Sequence, residues 1–328
     1  MVRMAKYKVF VTDTLWPDLE IERKILAEAD AEIFLAAGGT PKEICMEGMD
    51  CDAVIVNQNP MTRENLAILE KCKILVRLGV GVNEVDVAAA TDQGIIVCNV
   101  PDYCQSETAD HTMALVLGIS RKMHILSNQT KNGGWDSSVA SNVPRNYGKI
   151  FAILGCGNTG RMVAERAQAF GMRVIAHDPY IPDSIFKSND IKKYDSVEEL
   201  LRAADFVSLH LPLTPNTEEI INAKTLAYMK PTAYLINISR GGLINEDDLY
   251  DALINERIAG AGLDVLCKEP PVGINKLAAL QNVIVTPRAA WISEEALPEL
   301  RTKSAQEIAL FFKGQTPCYV VNKTLLAE

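Results

Sequence analysis

Short apolar runs rich in β-branched residues recur along the chain, and segments with helical patterning separate them. Because these runs are almost continuously apolar, they are typical of strands buried on both faces, as in a parallel sheet covered by helices on each side. The first set of predicted strands is Lys8–Val11, Ala31–Leu35, Asp52–Val56, Lys73–Arg77 and Ile95–Val100. The predicted helices between them include Asp18–Glu28, Pro41–Gly48 and Arg63–Lys71.

A second set of runs has the same character: Lys149–Leu154, Arg173–His177, Phe206–Leu209, Tyr234–Ile238, Gly260–Val265 and Val283–Val285. The sequence therefore predicts an α/β fold with two doubly wound parallel sheets, Rossmann-like or flavodoxin-like. The length of 328 residues agrees, because about 150 residues per domain gives two domains. A long helix, Ser106–Ser127 with Ser106 as its N-cap, is predicted between the two sets. A last predicted helix, Pro298–Lys313, ends before Gly314.

Composition argues against several classes of protein. The formal net charge is −9, which disfavours direct binding to nucleic-acid phosphates. The eight cysteines show no C-x-x-C spacing, so neither a zinc site nor a disulfide framework is predicted. No run approaches the ~18 apolar residues of a membrane span, and the N-terminal apolar run is too short for a signal peptide. We expect a reduced, cytoplasmic protein that needs no metal.

The most specific local motif is a glycine-rich loop between a predicted strand and a predicted helix. Gly155, Gly157 and Gly160 form G-x-G-x-x-G, and Asp178 ends the next strand. In a dinucleotide-binding fold these glycines permit a tight turn, close approach of the backbone to a pyrophosphate and close helix packing. Asp178 would accept hydrogen bonds from the adenosine ribose, and because Pro179 rather than arginine follows it, NAD is favoured over NADP. The alternative is a glycine turn in an unrelated α/β sheet.

Seven ordered blocks resemble the D-isomer-specific 2-hydroxyacid dehydrogenases over nearly the whole chain, most of all their C-terminal-binding-protein-like branch. They are the glycine loop and the blocks that begin RLGVGVNEVD, SETADHTMAL, SLHLPLTPNT, INISRGGLIN, AGLDVLCKEPP and TPRAAWISEEA. The resemblance implies a discontinuous substrate-binding domain, residues 1–102 with 293–328, and an inserted NAD-binding domain, residues 103–292. It also implies a homodimer formed through the cofactor domain and an active site in the cleft between the two sheets.

The implied reaction is reversible hydride transfer between NAD and a 2-oxo or 2-hydroxy acid. Arg240 matches the family's substrate arginine, whose planar guanidinium would hold the carboxylate and the carbonyl oxygen. Arg77, the backbone N–H groups of Val80 and Gly81, and Trp291 are implied to contact the substrate. A structural ion pair is an equal alternative for Arg77, as is packing at the hinge for Trp291. The residues implied to line the cofactor are Thr108, Gly155, Gly157, Asn158, Thr159, Gly160, Asp178, Pro179, Leu211, Pro212, Thr217, Ile238, Ser239, Arg240 and Asp264, of which Asp264 would anchor the nicotinamide amide.

The acid–base pair of the family departs from its usual pattern in this chain. Glu269 matches the glutamate of a His–Glu pair, but Arg288 stands where the family has the histidine. Arginine does not release a proton near neutral pH, since its pKa exceeds ~12. None of the four histidines of the chain is an evident replacement. Three interpretations stay open: Arg288 pairs with Glu269 while water or the substrate supplies the proton, Arg288 binds a second anionic group of the substrate, or only NAD(H) binding is retained.

The leading hypothesis is an NAD-dependent 2-hydroxyacid dehydrogenase, or 2-oxo acid reductase, with an atypical acid site. In the second interpretation its small-molecule substrate carries an additional anionic group. The alternative hypothesis is a catalytically impaired NAD(H)-binding regulatory protein, similar to the corepressors of the C-terminal-binding-protein branch. A third possibility, an enzyme that oxidises its substrate transiently with bound NAD, has no positive support in the sequence.

Overall fold

The computed structural model describes residues 5–326, which form two compact units. The first unit comprises the described residues up to Cys104 together with those from Ser293 onward. The second unit is Gln105–Ile292. No helix within residues 5–326 is long and apolar enough to cross a membrane.

The first unit is built on a five-stranded parallel sheet. Its strands are β1 (Tyr7–Val11), β2 (Ala31–Leu35), β3 (Ala53–Val56), β4 (Ile74–Arg77) and β5 (Ile96–Cys98), in the order β2-β1-β3-β4-β5. Its helices are α1 (Glu20–Ala27), α2 (Pro41–Glu47), α3 (Arg63–Leu66), α4 (Val87–Asp92) and α12 (Ala296–Phe312). Helix α2 begins with a capping box, in which Thr40 and Glu43 accept hydrogen bonds from each other's backbone N–H groups.

A buried ion pair joins the first and last helices of this unit. Arg301, on α12, donates from Nε and Nη2 to the two carboxylate oxygens of Glu22, on α1, at 2.8 Å each. The Arg301 side chain is 8% exposed and that of Glu22 is 2% exposed. Arg301 also donates to Asp18, and its guanidinium lies over the ring of Trp16. This bidentate pair therefore fixes the C-terminal helix of the chain to the N-terminal one.

The second unit is built on a seven-stranded parallel sheet. Its strands are β6 (Ile150–Leu154), β7 (Arg173–His177), β8 (Lys192–Lys193), β9 (Phe206–Leu209), β10 (Tyr234–Asn237), β11 (Gly260–Leu263) and β12 (Val283–Val285). Their order is β12-β11-β10-β9-β6-β7-β8, so the chain changes direction along the sheet between β6 and β9, where ligands bind in folds of this kind. Its helices are α5 (Gln105–Ser120), α6 (Met123–Lys131), α7 (Asn158–Ala169), α8 (Asp183–Ser188), α9 (Val197–Ala203), α10 (Ala223–Leu226) and α11 (Glu246–Ile254).

Both faces of this second sheet are apolar, as the continuous runs in the sequence predict. Along β6, Ala152 and Leu154 enter the apolar cluster on one face, whereas Phe151 and Ile153 enter the cluster on the other. All strand pairs of both sheets are parallel. The prediction of two doubly wound parallel sheets is therefore confirmed.

The long helix predicted at Ser106–Ser127 is wrong in its length and in its cap. It is divided into α5 and α6 by Lys122, whose φ of +53° interrupts the helical backbone. Helix α5 packs one face into the unit, but no residue from 121 to 150 is buried, so the chain leaves the core after α5. Ser106 lies inside the first turn of α5 rather than at its N-cap, and its hydroxyl accepts a hydrogen bond from Arg166.

Two smaller differences also follow from tertiary packing. Only Arg63–Leu66 of the helix predicted at Arg63–Lys71 is helical, because the chain continues in tighter turns that bury Leu69 and Cys72. Strand β8 was not predicted, since its two lysines form no apolar run. It is added to the edge of the sheet by pairing with β7.

Candidate active site

The glycine loop joins β6 to α7 at the carboxyl edge of the second sheet. Gly155 has a φ of +93°, and a Cβ there would lie 2.4 Å from the backbone oxygen of His210, so only glycine fits. A Cβ on Gly160 would lie 2.3 Å from the backbone oxygen of Gly155, which shows how closely α7 approaches the loop. A Cβ on Gly157 would meet no atom within 4 Å. That open space suits close approach of a pyrophosphate to the backbone.

The first turn of α7 presents backbone N–H groups to this space. The helical ladder begins with the N–H of Arg161 donating to the carbonyl of Gly157, so the N–H groups of Asn158 and Thr159 precede it. Such groups, together with the helix dipole, favour a phosphate at this position.

Asp178 ends β7 beside the same loop and is buried. Its carboxylate accepts hydrogen bonds from the backbone N–H of Cys156 at 2.8 Å and of Tyr180 at 2.9 Å. Each oxygen keeps a second lone pair for a ribose hydroxyl. Pro179 follows at the surface and supplies no cation for a 2′-phosphate. The loop and Asp178 therefore fit NAD.

Two further loops at this edge are held by hydrogen bonds from Thr217 and Ser239, which the resemblance implies to line the cofactor. The Thr217 hydroxyl donates to the carbonyl of Pro212 at 2.6 Å and accepts from the N–H of Thr214. The Ser239 hydroxyl donates to the carbonyl of Leu209 at 2.8 Å and so ties the end of β10 to that of β9. Leu211 follows β9, Ile238 follows β10, and Thr108 lies in the first turns of α5.

His210 lies between β9 and the loop that contains Leu211. Its Nε2 is 2.8 Å from the hydroxyl of Ser208, whereas its Nδ1 is buried and has no hydrogen-bond partner within residues 5–326. This desolvation lowers the pKa of His210 to about 4. The imidazole is therefore neutral at physiological pH and is a poor proton donor for catalysis.

Asp264 follows β11 and organises the loop that follows β12. Its buried carboxylate accepts hydrogen bonds from the hydroxyl of Thr286 at 2.5 Å and from the backbone N–H groups of Ala289 at 2.8 Å and Ala290 at 3.0 Å. Its backbone carbonyl accepts from the N–H of Arg288 at 2.9 Å. Asp264 thus accepts four hydrogen bonds from this loop. The sequence predicted Asp264 as an anchor for the nicotinamide amide and did not predict that it would hold this loop.

Arg288 stands in that loop with a φ of +54° and pairs with Glu269. The Nη1–Oε2 distance is 2.6 Å, and the second oxygen of Glu269 accepts from the backbone N–H of Leu266 at 2.7 Å. The Arg288 side chain is 50% exposed and that of Glu269 is 25% exposed. The pair of the first sequence interpretation is therefore present, and the remaining guanidinium donors have access to solvent.

Arg240 follows β10 and is fixed near the turn that carries Glu269. Its carbonyl accepts from the Asn237 side chain at 2.8 Å, and its Nη1 donates to the carbonyl of Ser239 at 2.7 Å. A Cβ on the following Gly241 would lie 2.0 Å from the backbone carbon of Leu266. Glycine is thus required for the Arg240 segment to lie against that turn. The second unit therefore gathers the segments of Arg240, Glu269, Arg288 and Asp264 at one edge of its sheet.

The remaining substrate candidates belong to the first unit, except Trp291, which follows Ala290 in the loop held by Asp264. Arg77 ends β4 and forms an ion pair with Glu84 at 3.2 Å. Gly79 has a φ of +132°, and a Cβ there would lie 2.0 Å from the Arg77 guanidinium. This turn exposes Val80 and leaves Gly81 partly accessible. The structural ion pair that the sequence left open for Arg77 is present.

The sequence prediction missed Thr286 and did not include His111 in the site. His111 Nε2 lies 2.9 Å from the Thr286 hydroxyl and 3.4 Å from Asp264 Oδ1. The available signal was the threonine that immediately precedes Pro287 and Arg288 in the TPRAAW block. No cluster of three or more metal-ligating side chains occurs within residues 5–326.

Residues 113–290 match the NAD-binding domain of the D-isomer specific 2-hydroxyacid dehydrogenases. The chain belongs to this family. The resemblance seen in the sequence blocks is thereby confirmed at the level of the family, and the cofactor of the second unit is NAD.

Two relatives in this family are phosphoglycerate dehydrogenases. The D-3-phosphoglycerate dehydrogenase of Methanocaldococcus jannaschii is 40% identical over 316 residues, which cover 96% of this chain and 59% of that protein. The chloroplastic D-3-phosphoglycerate dehydrogenase 2 of Arabidopsis thaliana is 36% identical over 290 residues, which cover 88% of this chain and 46% of that protein. The chain thus spans about half the length of these curated relatives.

Two solved structures of this fold cover nearly the whole chain. A glyoxylate reductase from Paecilomyes thermophila has a TM-score of 0.89 and 27% identity, and the match covers 98% of this chain and 100% of that one. An acyclic imino acid reductase in complex with NADPH and D-Arg has a TM-score of 0.85 and 30% identity, with 96% and 99% covered.

Proposed function

We propose that this protein is an NAD-dependent 2-hydroxyacid dehydrogenase that acts as a 2-oxo acid reductase on substrates with a second anionic group. The observation that carries the proposal is the state of Arg288. The resemblance implies that this arginine stands at the position of the family's histidine. Its backbone N–H donates to the carbonyl of Asp264, and its side chain is half exposed. A fixed and accessible guanidinium suits recognition of a carboxylate, phosphate or sulfonate.

Different residues of the chain would bind different groups of the substrate. When bound, NAD supplies or accepts a hydride. Arg240 would hold the 2-oxo acid's carboxylate and carbonyl oxygen, and Arg288 would bind the second anion. The N–H groups of Val80 and Gly81, together with Arg77 and Trp291, are the further substrate contacts that we propose.

Reduction of a 2-oxo acid requires a proton for its carbonyl oxygen, and the pair of Arg288 and Glu269 does not supply one. Arg288 does not release a proton near neutral pH, and the Glu269 carboxylate is engaged by Arg288 and the N–H of Leu266. General acid catalysis contributes ~10²–10⁴-fold in rate. We therefore propose that water or an acidic group of the substrate supplies the proton, with turnover slower by a factor of that order than in a relative that has the histidine.

The relatives support an anionic substrate. Two of them are named for D-3-phosphoglycerate, which carries a phosphate as well as a carboxylate. This chain spans 59% and 46% of the length of these two relatives.

A substrate panel tests the proposal. Oxidation of NADH would be followed with glyoxylate, pyruvate and hydroxypyruvate, and with oxaloacetate, 2-oxoglutarate and 3-phosphohydroxypyruvate, for the wild type and for Arg288→Gln, Arg288→His and Arg202→Gln. Arg202 is a matched control, because it forms an exposed ion pair on α9. We expect turnover of one of the last three acids, each of which carries a second anionic group. This turnover should be lost in both Arg288 variants and kept in Arg202→Gln. Turnover gained only in Arg288→His would show instead that this chain has simply lost its acid.

The alternative function is NAD(H)-responsive regulation, as in the C-terminal-binding-protein branch. This alternative is favoured by the arginine at position 288, because an arginine cannot serve as the proton donor. The same experiment separates the two functions, since tight NADH binding without turnover of any acid by wild type or Arg288→His would contradict the enzyme and support the regulator.

We further propose a homodimer formed through the cofactor domain. None of the residues from 121 to 150, which include all of α6, is buried. Among them, Trp135 is 92% exposed and Tyr147 is also exposed. Apolar exposure of this extent is typical of an interface. Sedimentation should give a dimer for the wild type and more monomer for Trp135→Ser, while Trp135→Phe should stay dimeric. A monomeric wild type would contradict this proposal.

The compartment that we propose is the reducing cytoplasm. All eight cysteines are free thiols in the structure, and six of them are buried. Burial raises the pKa of Cys45 and of Cys156 to about 11, which leaves these thiols protonated and unreactive.

A further inference from the structure

His111, Thr286 and Asp264 form a hydrogen-bonded chain behind the loop that carries Arg288. Thr286 Oγ1 lies 2.5 Å from Asp264 Oδ1 and 2.9 Å from His111 Nε2. Asp264 is buried and His111 is mostly so. The three residues come from the end of β11, the end of β12 and helix α5, so only the fold brings them together.

The direction of each hydrogen bond follows from the number of protons. An ionised carboxylate only accepts, so the single proton of the Thr286 hydroxyl is donated to Asp264. The hydroxyl oxygen then accepts from its other neighbour, which requires that His111 Nε2 carries a hydrogen. The chain of donors therefore runs from His111 to Thr286 to Asp264, and neutral His111 is the Nε2–H tautomer.

The hydrogen bonds among His111, Thr286 and Asp264 affect Arg288 through the other hydrogen bonds that Asp264 accepts. The same carboxylate accepts the N–H groups of Ala289 and Ala290, and the Asp264 carbonyl accepts the N–H of Arg288 itself. Arg288 has a positive φ, which is uncommon for a residue with a side chain and persists only where the surroundings fix it. Thr286 and Asp264 supply those surroundings, and His111 orients the Thr286 hydroxyl.

We propose that His111 and Thr286 are positioning residues, which act through Asp264 to hold Arg288 in the orientation that binds the second anionic group of the substrate. This inference rests on the proposed function of Arg288 and adds to it the residues that determine specificity. The hydroxyl of Thr286 is the central element, because it lies 2.9 Å from His111 Nε2 and 2.5 Å from Asp264 Oδ1, whereas the direct distance from His111 Nε2 to Asp264 Oδ1 is 3.4 Å.

The kinetic test removes and then restores that hydroxyl. We expect Thr286→Val to raise the KM for the dianionic substrate by roughly tenfold, the effect of one charged hydrogen bond, with a much smaller change in kcat. Thr286→Ser should return the KM to within about twofold of the wild type, since the hydroxyl is kept. Thr112→Val is the matched control, because Thr112 is buried in the same helix as His111 and its hydroxyl bonds only the carbonyl of Thr108.

A spectroscopic test is independent of turnover. Nitrogen-15 correlation spectra of the imidazoles of apo protein should show His111 as the Nε2–H tautomer, and Thr286→Val should change its signals while Thr286→Ser preserves them. The signals that disappear in His111→Gln identify the resonances of His111. Should Thr286→Val fail to fold, the same variant provides a second kinetic test, because the glutamine side chain can still donate a hydrogen bond to Thr286. The KM of His111→Gln should then stay closer to the wild-type value than the KM of His111→Leu.

The outcomes separate this inference from the function on which it rests. If no acid is reduced but His111 shows the expected tautomer and its dependence on Thr286, the proposed function fails and the hydrogen-bonded chain stands. An Nδ1–H tautomer for His111 would overturn the inference. So would an unchanged KM in Thr286→Val, or a failure of serine to restore it.

Discussion

Arg288 and Glu269 form an ion pair in which the Nη1–Oε2 distance is 2.6 Å. The resemblance in the sequence implies the family's His–Glu acid pair at these two positions, and in this chain the two side chains form an ion pair. In the function proposed above, Glu269 neutralises part of the charge of the guanidinium and so competes with the anionic group of the substrate. The role that we propose for this pair is therefore recognition of an anion rather than donation of a proton.

The first prediction concerns competition for Arg288. In Glu269→Gln the guanidinium loses its anionic partner, so we expect the KM for a dianionic 2-oxo acid to fall by up to about fivefold, since an exposed ion pair contributes about 0–1 kcal/mol. The free energy of unfolding should change by less than about 1 kcal/mol for the same reason. Steady-state kinetics and urea unfolding measure the two effects. Glu198→Gln, which removes the partner of Arg202, should leave the KM unchanged, and a higher KM in Glu269→Gln would contradict the competition.

The second prediction separates two glycines of the cofactor loop. Gly155→Ala should lower the free energy of unfolding by at least about 1–3 kcal/mol, because a side chain at its positive φ is strained and its Cβ would clash with the carbonyl of His210. Gly157→Ala should leave stability nearly unchanged, since its Cβ meets no atom within 4 Å, but should weaken NADH binding. Thermal unfolding and NADH fluorescence titration distinguish these outcomes. Equal effects of both variants on both measurements would be incompatible with the geometry.

The third prediction is a dependence of stability on pH. Desolvation lowers the pKa of His210 to about 4, below the ordinary value of 6.5. The unfolded chain therefore binds this proton more readily, and the contribution of His210 to stability is complete above pH 6.5 and declines as the pH falls towards 4. The slope should approach about 1.4 kcal/mol per pH unit within this window. Urea unfolding at several pH values should show a smaller decline in His210→Gln, and an identical decline in both proteins would exclude His210 as its source.

The fourth prediction concerns the buried pair of Arg301 and Glu22 in the first unit. Glu22→Gln should destabilise the protein by about 3–5 kcal/mol, because it leaves a buried guanidinium without its bidentate partner. The double variant Glu22→Leu with Arg301→Met should recover much of this loss, since neither buried charge remains. Denaturant unfolding of the single and double variants measures the effect. A double variant that is no more stable than Glu22→Gln would show that packing of Arg301 on Trp16, rather than charge, dominates.

The fold and the position of the glycine loop between a strand and a helix were readily predicted from the sequence. The apolar runs became strands whose ends lie within two residues of the predicted ones, because strands buried on both faces tolerate few polar residues. Gly155, Gly157 and Gly160 were predicted as a dinucleotide loop because their spacing encodes local backbone requirements. The error at Ser106–Ser127 shows the limit of such patterns, since small and apolar residues continue through Lys122 although the core does not.

The sequence by itself determined the two parallel sheets, the glycine-rich turn between β6 and α7 and the presence of arginine at position 288. The tertiary structure decided what the polar residues do: that Arg288 pairs with Glu269, that Arg77 pairs with Glu84, and that Asp264 holds the Arg288 loop with the help of His111 and Thr286. The physical reason is the range of the interactions. Apolar periodicity and glycine spacing act between neighbours in the chain, whereas a hydrogen bond such as that between His111 and Thr286 depends on two segments 175 residues apart meeting at one edge of a sheet.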